Sequence, residues 1–335
     1  MTQQNLPNTK LIDRFNRRLN YLRISITDRC NLRCIYCTPR KLIPKLSHDD
    51  ILKYEEILHI AKIGADLGIS KIRITGGEPL VRRGVYDFLG KITKISGLKD
   101  IAITTNGVFL KENIQKIKSA GIKRINVSLD TLNKEKFKKI TGLDLFSQVW
   151  EGIKAAQKQG LNPVKINVVV LRGINDDELI QLAGLSFSYP FHIRFIEYMP
   201  VGKTVLKIKQ HIFAPEIKER ISILGDLIPI KTKADDGPAE RFKFKNAKGE
   251  IGFIHPLSNH FCHTCNRLRL TASGQLRPCL LSNYQKDIKI PLRCGCSDME
   301  LADLFLEAAY HKPHGHNLAI NHYGRVTSEM CSIGG

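Results

Sequence analysis

The sequence is poor in several things, and each shortage excludes a class of protein. It has no apolar run near the roughly 18 residues that a membrane-spanning helix needs. Its first twenty residues hold no apolar stretch of the signal-peptide kind, which favours the cytoplasm. Arg14, Arg17 and Arg18 keep an organellar transit peptide open, although Asp13 and the shortness of the basic stretch weigh against it. Low-complexity tracts and close repeats are missing too, which removes arrays and flexible linkers. Acidic residues are scarce: 32 Asp and Glu against 52 Lys and Arg leave +20 over 335 residues. Such a surplus points to a polyanionic partner, whether nucleic acid, anionic membrane or nucleotide phosphate, with a solvated basic surface as the plain alternative.

Cysteine, by contrast, is plentiful. Nine of them, an odd number in a chain without a secretory signal, suit metal or redox chemistry better than a disulfide framework. The charge surplus and the cysteines coincide. Residues 10–45 carry ten Lys and Arg against two acids, residues 241–293 carry the same ratio, and each stretch holds one cysteine triplet.

Between residues 20 and 197, short β-rich runs alternate with helical patterns. Strands are expected at Tyr21–Ile26, Lys71–Thr75, Asp100–Thr104, Lys123–Leu129, Val164–Val170 and Phe191–Ile196. A helix is expected to open at Ser47, where Ser47 and Asp50 have capping spacing, and to end at Gly68; another should begin at Asn175. Six βα units imply a parallel sheet of the α/β class, either open or a partial (β/α)6 barrel of TIM type. The unusual residues sit just after strands, on what would be the active face of a barrel. Past about residue 204 the alternation breaks down, which divides the chain into a core of residues 1–204 and a C-terminal segment of residues 205–335.

Cys30, Cys34 and Cys37 place three soft ligands within eight residues. Three thiolates suit an iron–sulfur cube with one open iron, a centre that can chelate a small molecule; a zinc site completed by a distant residue is the alternative. The stretch CNLRCIYC, followed after the next strand by GGEP, resembles the radical S-adenosylmethionine enzymes. The resemblance implies a partial barrel in which this 4Fe–4S cluster holds S-adenosylmethionine, with Tyr36 beside the adenine, Gly77 and Glu78 at the methionyl amino end, and Ser128 and Met199 completing the site.

Cys262, Cys265 and Cys279 form the second triplet. Zinc is a serious alternative here, with Cys294, Cys296, His255, His260 or His263 as a fourth ligand. Arg267 and Arg269 alternate on one face of an expected strand, with Arg277 near the third cysteine, and converging guanidinium groups grip phosphates. The stretch FCHTCNRLRLTASGQLRPCL resembles the C-terminal cluster segment of the GTP 3′,8-cyclase family, which opens molybdenum cofactor biosynthesis. RISITDRCNLRC, ITGGEPL, TTNG, NVSLD, FIEYMPVG, DGPAERF and the terminal IGG follow in the family's order.

That resemblance implies a second 4Fe–4S cluster whose open iron contacts guanine, and GTP contacts from Arg23, Arg73, Thr104, Lys165, Arg267 and Arg269. It implies conversion of GTP to 3′,8-cyclo-7,8-dihydro-GTP by a radical drawn from S-adenosylmethionine. An external electron donor and a downstream cyclic pyranopterin monophosphate synthase come with it. A homodimer is a candidate assembly, and neither nucleic acid nor membrane is required. Thr38 stands where the family usually has Met, and Cys331 departs in the tail; altered packing is expected from both. The tail Ser332–Gly335 is read either as a disordered end or as a double-glycine arm that reaches the site. Competing readings are a radical enzyme acting on peptide or RNA, and a basic zinc-ribbon protein that binds nucleic acid.

Overall fold

Six strands follow one another in the first two-thirds of the chain: β1 (Tyr21–Ser25), β2 (Lys71–Thr75), β3 (Asp100–Thr105), β4 (Ile125–Ser128), β5 (Val164–Val170) and β6 (His192–Glu197). In the computed structural model, which describes residues 10–37, 45–202, 206, 208–231, 237–316 and 326–334, each pairs in parallel with the next. Helices return the chain between them, as parallel pairing demands. The result is a partial α/β barrel, the one of the two arrangements left open by the alternation that the resemblance implies, with every expected strand in place to within two residues at either end.

The C-terminal segment does more than follow this barrel. It supplies β7 (Leu227–Pro229), β8 (Glu240–Phe244), β9 (Glu250–Ile254), β10 (Arg267–Leu270), β11 (Gln275–Arg277) and β12 (Lys286–Asp287). The single sheet runs β12-β11-β10-β1-β2-β3-β4-β5-β6-β9-β8-β7. Because β10 lies parallel to β1 and β9 parallel to β6, the parallel part widens to eight strands, edged on both sides by antiparallel ones. The alternation missed this because the runs EIGFI and RLRL are short and no helical pattern separates them from their neighbours.

Helix starts differ from expectation. Ser47 and Asp50 do form the capping pair, with Ser47 Oγ 2.7 Å from Asp50, but only a turn follows. The helix proper is Tyr54–Asp66, capped at Lys53 by the Glu56 carboxylate accepting from the Lys53 amide at 2.6 Å. Gly68, at φ +95°, ends it as expected. Beyond Asn175 a single 3-10 turn, Asp176–Glu178, precedes the helix Leu179–Ser188.

Strand phase determines what faces the barrel interior. On β5, Val164, Ile166, Val168 and Val170 are buried in the apolar layer beneath the helices, while Lys165 and Asn167 point the other way. On β6, Ile193 and Phe195 take the apolar side and Arg194 the inner one. Truncating a residue of this layer such as Ile166 to Ala costs about 2–5 kcal/mol. Many TIM-type barrels fill their interior with branched apolar side chains. Here polar and cationic ones take that place, so the barrel encloses a cavity instead of a second core.

Candidate active site

The cavity is ≈ 450 Å³ and opens at the carboxyl ends of the parallel strands. Both cysteine triplets lie on its wall: Cys30, Cys34 and Cys37 on the loop after β1, and Cys262, Cys265 and Cys279 around β10. Arg23, Arg73, Thr104, Lys165, Arg267 and Arg269 also line it, as do Tyr36, Gly77, Ser128 and Met199. Residues from opposite ends of the sequence therefore share one space, because β10 docks beside β1.

The first triplet is held by glycines. Gly77 donates its amide to Thr27 O at 2.7 Å, and a Cβ there would lie 2.4 Å from Arg29 O, so only glycine lets the loop after β2 press against the one that leads into Cys30. Tyr36 donates to Asp130 Oδ2 at 2.7 Å, which ties the cysteine loop to the end of β4; Asp130 Oδ1 accepts from Val169 N at 2.8 Å. Burial raises the Asp130 carboxyl to about 6, against the pull of those two hydrogen bonds. Burial likewise pushes the Cys34 thiol well above its ordinary value and raises Cys30. Buried thiols of this kind ionise in the presence of a thiophilic cation.

Glu78 follows Gly77 in the same loop. Its carboxylate is fully buried and turned away from the cavity, accepting from Leu80 N at 3.0 Å, Thr105 Oγ1 at 2.8 Å and Asn106 N at 2.7 Å. It braces the loops after β2 and β3 against each other, and burial lifts it to about 7 despite those bonds.

The second triplet rests on cations. Lys312, almost wholly buried, donates to Arg267 O at 2.7 Å and Pro278 O at 2.6 Å, and so staples β10 to the turn before Cys279. Arg17 donates to Cys262 O at 2.6 Å from below, itself held by Asp13. Burial would raise the Cys265 thiol, but Arg267 and Lys312 overcome it and bring Cys265 down to about 6. Arg277 serves structure: buried, it donates to Gln285 Oε1 and Ser328 Oγ, both at 2.9 Å. Of the suggested fourth ligands, Cys294, Cys296, His255, His260 and His263, none lines the cavity wall among the described residues.

Between the triplets the wall is strongly cationic. Strand register sets Arg269, Arg23 and Arg73 side by side on β10, β1 and β2. Adjacent strands are about 4.8 Å apart, so three like charges share one row, an arrangement that destabilises a sheet unless an anion bridges them. Burial and then the neighbouring guanidiniums lower Arg269 well below its ordinary value. Further along, burial and then Arg194, Arg124 and Arg73 push Lys165 down to about 6. Asp100 answers Arg124 at 2.6 Å and Lys71 at 3.3 Å, leaving the cations in clear excess.

Several wall residues went unnamed in the sequence reading: Tyr21, Arg124, Asn126, Asn167 and Arg194. All but Arg194 are in phase with a residue that was named, Tyr21 with Arg23, Arg124 and Asn126 with Ser128, and Asn167 with Lys165, and that period of two was the available signal. Asn126 Oδ1, Asn167 Oδ1 and Arg73 Nε are buried without a hydrogen-bond partner among the described residues. Buried polar atoms cost stability when unmatched, and here they mark where a polar ligand belongs. With three thiols at each end and a glycine cradle under one, these residues fit two iron–sulfur clusters and a nucleotide-sized ligand between them.

The C-terminal tail closes one side. Gly334, at φ +75°, sits where a Cβ would come within 2.8 Å of both Ser25 Cβ and Thr75 Cγ2, and its carbonyl accepts from Arg269 Nη1 at 3.1 Å. Thr38 and Gly335 lie outside the described residues. Cys331 is buried in the short helix Met330–Ile333 just before the tail.

Such a barrel, with three cysteines on its first loop, defines a radical S-adenosylmethionine enzyme. The family model "Radical SAM superfamily" matches residues 24–185, and "Molybdenum Cofactor Synthesis C" matches residues 191–318. The fold is shared with Streptococcus suis SuiB, whose structure was determined with S-adenosylmethionine (TM-score 0.58, 16% identity, 94% of this chain and 67% of that one). It is shared also with anSMEcpe (TM-score 0.56, 18% identity, 85% and 84%). Among curated proteins, the GTP 3′,8-cyclase of Thermodesulfovibrio yellowstonii is 51% identical over 96% of this chain and 99% of its own length. That of Moorella thermoacetica is 49% identical over the same shares. The chain belongs to the GTP 3′,8-cyclase family.

Proposed function

We propose that the cavity binds S-adenosylmethionine at the Cys30/Cys34/Cys37 end and GTP at the Cys262/Cys265/Cys279 end. The chain thereby cyclises GTP to 3′,8-cyclo-7,8-dihydro-GTP, the first step of molybdenum cofactor biosynthesis. The observation that carries this reading is the row Arg269, Arg23, Arg73, two buried cations and a half-buried one between them, on adjacent strands that line a cavity shared by both triplets. A triphosphate supplies the anion that this row calls for, in the bidentate geometry that guanidinium prefers.

Family members carry a 4Fe–4S cluster on each triplet, and the first cluster with S-adenosylmethionine supplies the radical chemistry. The chain's own work is placement. Tyr36 stands beside the adenine and Gly77 at the methionyl amino end, with Ser128 and Met199 completing the site. Arg23, Arg73, Lys165, Arg267 and Arg269 hold the phosphates, and Thr104 stands between the two groups. The walls keep the ribose facing the cofactor and exclude water that would quench a radical. Residues 1–204 serve the cofactor end, while residues 205–335 complete the GTP end through β10 and the tail.

An external electron donor, a downstream cyclic pyranopterin monophosphate synthase, a homodimer and a cytoplasmic location belong to the same reading. No helix among the described residues is long and apolar enough to cross a membrane. The test is anaerobic incubation of reconstituted protein with GTP, S-adenosylmethionine and dithionite, followed by mass analysis. A cyclised nucleotide isobaric with GTP is expected. Formation of 5′-deoxyadenosine without that product would redirect the reading to another substrate, and stoichiometric zinc without iron would favour a binding module.

A further inference from the structure

Cys262 has a second set of neighbours that the two clusters do not use. Its Sγ, a ring nitrogen of His260 and one of His316 all lie within 4.8 Å of one another. His260 Nδ1 is 2.8 Å from His316 Nε2, and the latter is also 2.7 Å from Pro256 O. His260 is exposed at the rim, while His316 and Cys262 are half-buried on the cavity wall. His260 and Cys262 are two residues apart, and His316, more than fifty residues later, reaches them beside Pro256.

We infer that His260, Cys262 and His316 form a binding site for a single divalent cation of the zinc type, alternative to and exclusive of the second cluster. One thiolate and two imidazoles are a donor set of intermediate softness, suited to Zn²⁺ or Co²⁺. Around one tetrahedral ion, with bonds of about 2.0–2.3 Å, ligand atoms stand roughly 3.3–3.6 Å apart. The observed group needs only a small adjustment to reach that spacing. The three cysteines of a cluster bind three different irons, whereas these three residues converge on one point. The ion takes the position of the proton that His260 Nδ1, His316 Nε2 and Pro256 O now share. On binding, the Cys262 thiol loses its proton to solvent and the ring proton of neutral His316 moves from Nε2 to Nδ1, which frees Nε2 for the ion, so one proton is released per cation; water fills the fourth position. Because Cys262 cannot serve both sites, a cation held here keeps the second cluster from assembling.

This inference goes beyond the GTP reading and stands or falls separately from it. The test uses the full chain carrying Cys30→Ala, Cys34→Ala, Cys37→Ala, Cys265→Ala and Cys279→Ala, titrated anaerobically with Co²⁺. The expected result is one Co²⁺ per chain with a thiolate-to-cobalt absorption band, lost when His316→Ala or Cys262→Ala is added and weakened at least tenfold in affinity by His260→Ala. Absence of the band, or a band indifferent to both histidines, overturns the site. Should that background misfold, alkylation mapping of the cluster-free natural sequence gives the same answer. Equimolar Zn²⁺ is expected to protect Cys262 at least fivefold more than Cys265 and Cys279, whereas equal protection of all three assigns the ion to the cysteine triplet.

Discussion

Arg269 Nη1 donates to the carbonyl of Gly334 at 3.1 Å, so an arginine of the phosphate row and the C-terminal tail hold each other across 65 residues of sequence. The tail is thus part of the site wall. Gly334→Ala places a methyl against Ser25 and Thr75 on a backbone at φ +75°, at a conformational cost of about 1–2 kcal/mol. We expect at least a tenfold fall in GTP cyclisation, while the melting temperature moves by no more than about 4 °C. Chromatographic quantitation of cyclised product and 5′-deoxyadenosine separates the two: uncoupled 5′-deoxyadenosine should persist. Full cyclisation by this variant would mean that the tail only packs.

With GTP placed beside Lys165 as proposed, its binding is expected to be a protonation event. Pushed down to about 6 by burial and then by Arg194, Arg124 and Arg73, the lysine is largely neutral at pH 7.5 in the empty cavity. A triphosphate beside it favours the charged form. Binding at pH 7.5 should therefore take up about one proton, which calorimetry in buffers of different ionisation enthalpy measures directly. Lys165→Met is expected to abolish the uptake and to weaken binding. The linkage for stability has a definite sign. Between about 6 and the ordinary value of 10.5 the unfolded chain holds a proton that the folded one has lost, so Lys165 makes the ligand-free protein gain stability as pH rises through that window.

Much of this was legible in the sequence, and the gaps have physical causes. Strands stood out because Ile, Val and Phe cluster on the side that faces the helices, and of the ligand-contacting residues named from the sequence all but Glu78 and Arg277 line the cavity. Arg194 and Asn167 escaped notice because their importance comes from strand phase in a barrel whose interior is polar. Glu78 shows what a motif leaves open: GGEP marks its position, but not that its carboxylate accepts from Leu80, Thr105 and Asn106. The docking of β10 beside β1 is a long-range pairing that local pattern does not encode.

The arginine row predicts a trade between stability and binding. Arg23→Met removes the half-buried middle charge of three adjacent like charges, so the ligand-free protein should melt higher, by about 1–3 °C for roughly 1 kcal/mol. The same change removes a charge-assisted contact, of about 1.5–3 kcal/mol, and should weaken GTP binding roughly 10- to 150-fold. Paired melting curves with and without GTP test both halves. A variant that melts lower without GTP would show that the row is already compensated within the protein.

Iron content tests the division between the triplets. Chain reconstituted anaerobically should hold about eight irons and eight sulfides, and Cys30→Ala about four of each. Cys30→Ala should lose all reductive cleavage of S-adenosylmethionine. Cys279→Ala should keep the first cluster and continue to cleave S-adenosylmethionine without GTP cyclisation. Loss of all iron from either variant would show that the clusters depend on each other for assembly.

The Tyr36–Asp130 hydrogen bond couples the cysteine loop to β4, and its pH dependence exposes that coupling. Burial raises Asp130 from an ordinary 3.8 to about 6, while the Tyr36 hydroxyl and the Val169 amide hold it down. Between those values the folded chain keeps a proton that the unfolded chain has released, so stability falls as pH rises from about 4 to 6 and levels off above. Tyr36→Phe removes one of the two restraints and should carry the falling limb to higher pH. Asp130→Asn should remove that limb altogether. Melting temperatures of the cluster-free protein from pH 4 to 8 distinguish the three curves, and a Tyr36→Phe curve that overlays the parent would show that the hydroxyl does not restrain the carboxylate. Because Tyr36 lies between Cys34 and Cys37, the same variant should weaken S-adenosylmethionine binding by roughly the 0.5–1.5 kcal/mol of a typical hydrogen bond, about 2- to 13-fold, with the iron content unchanged.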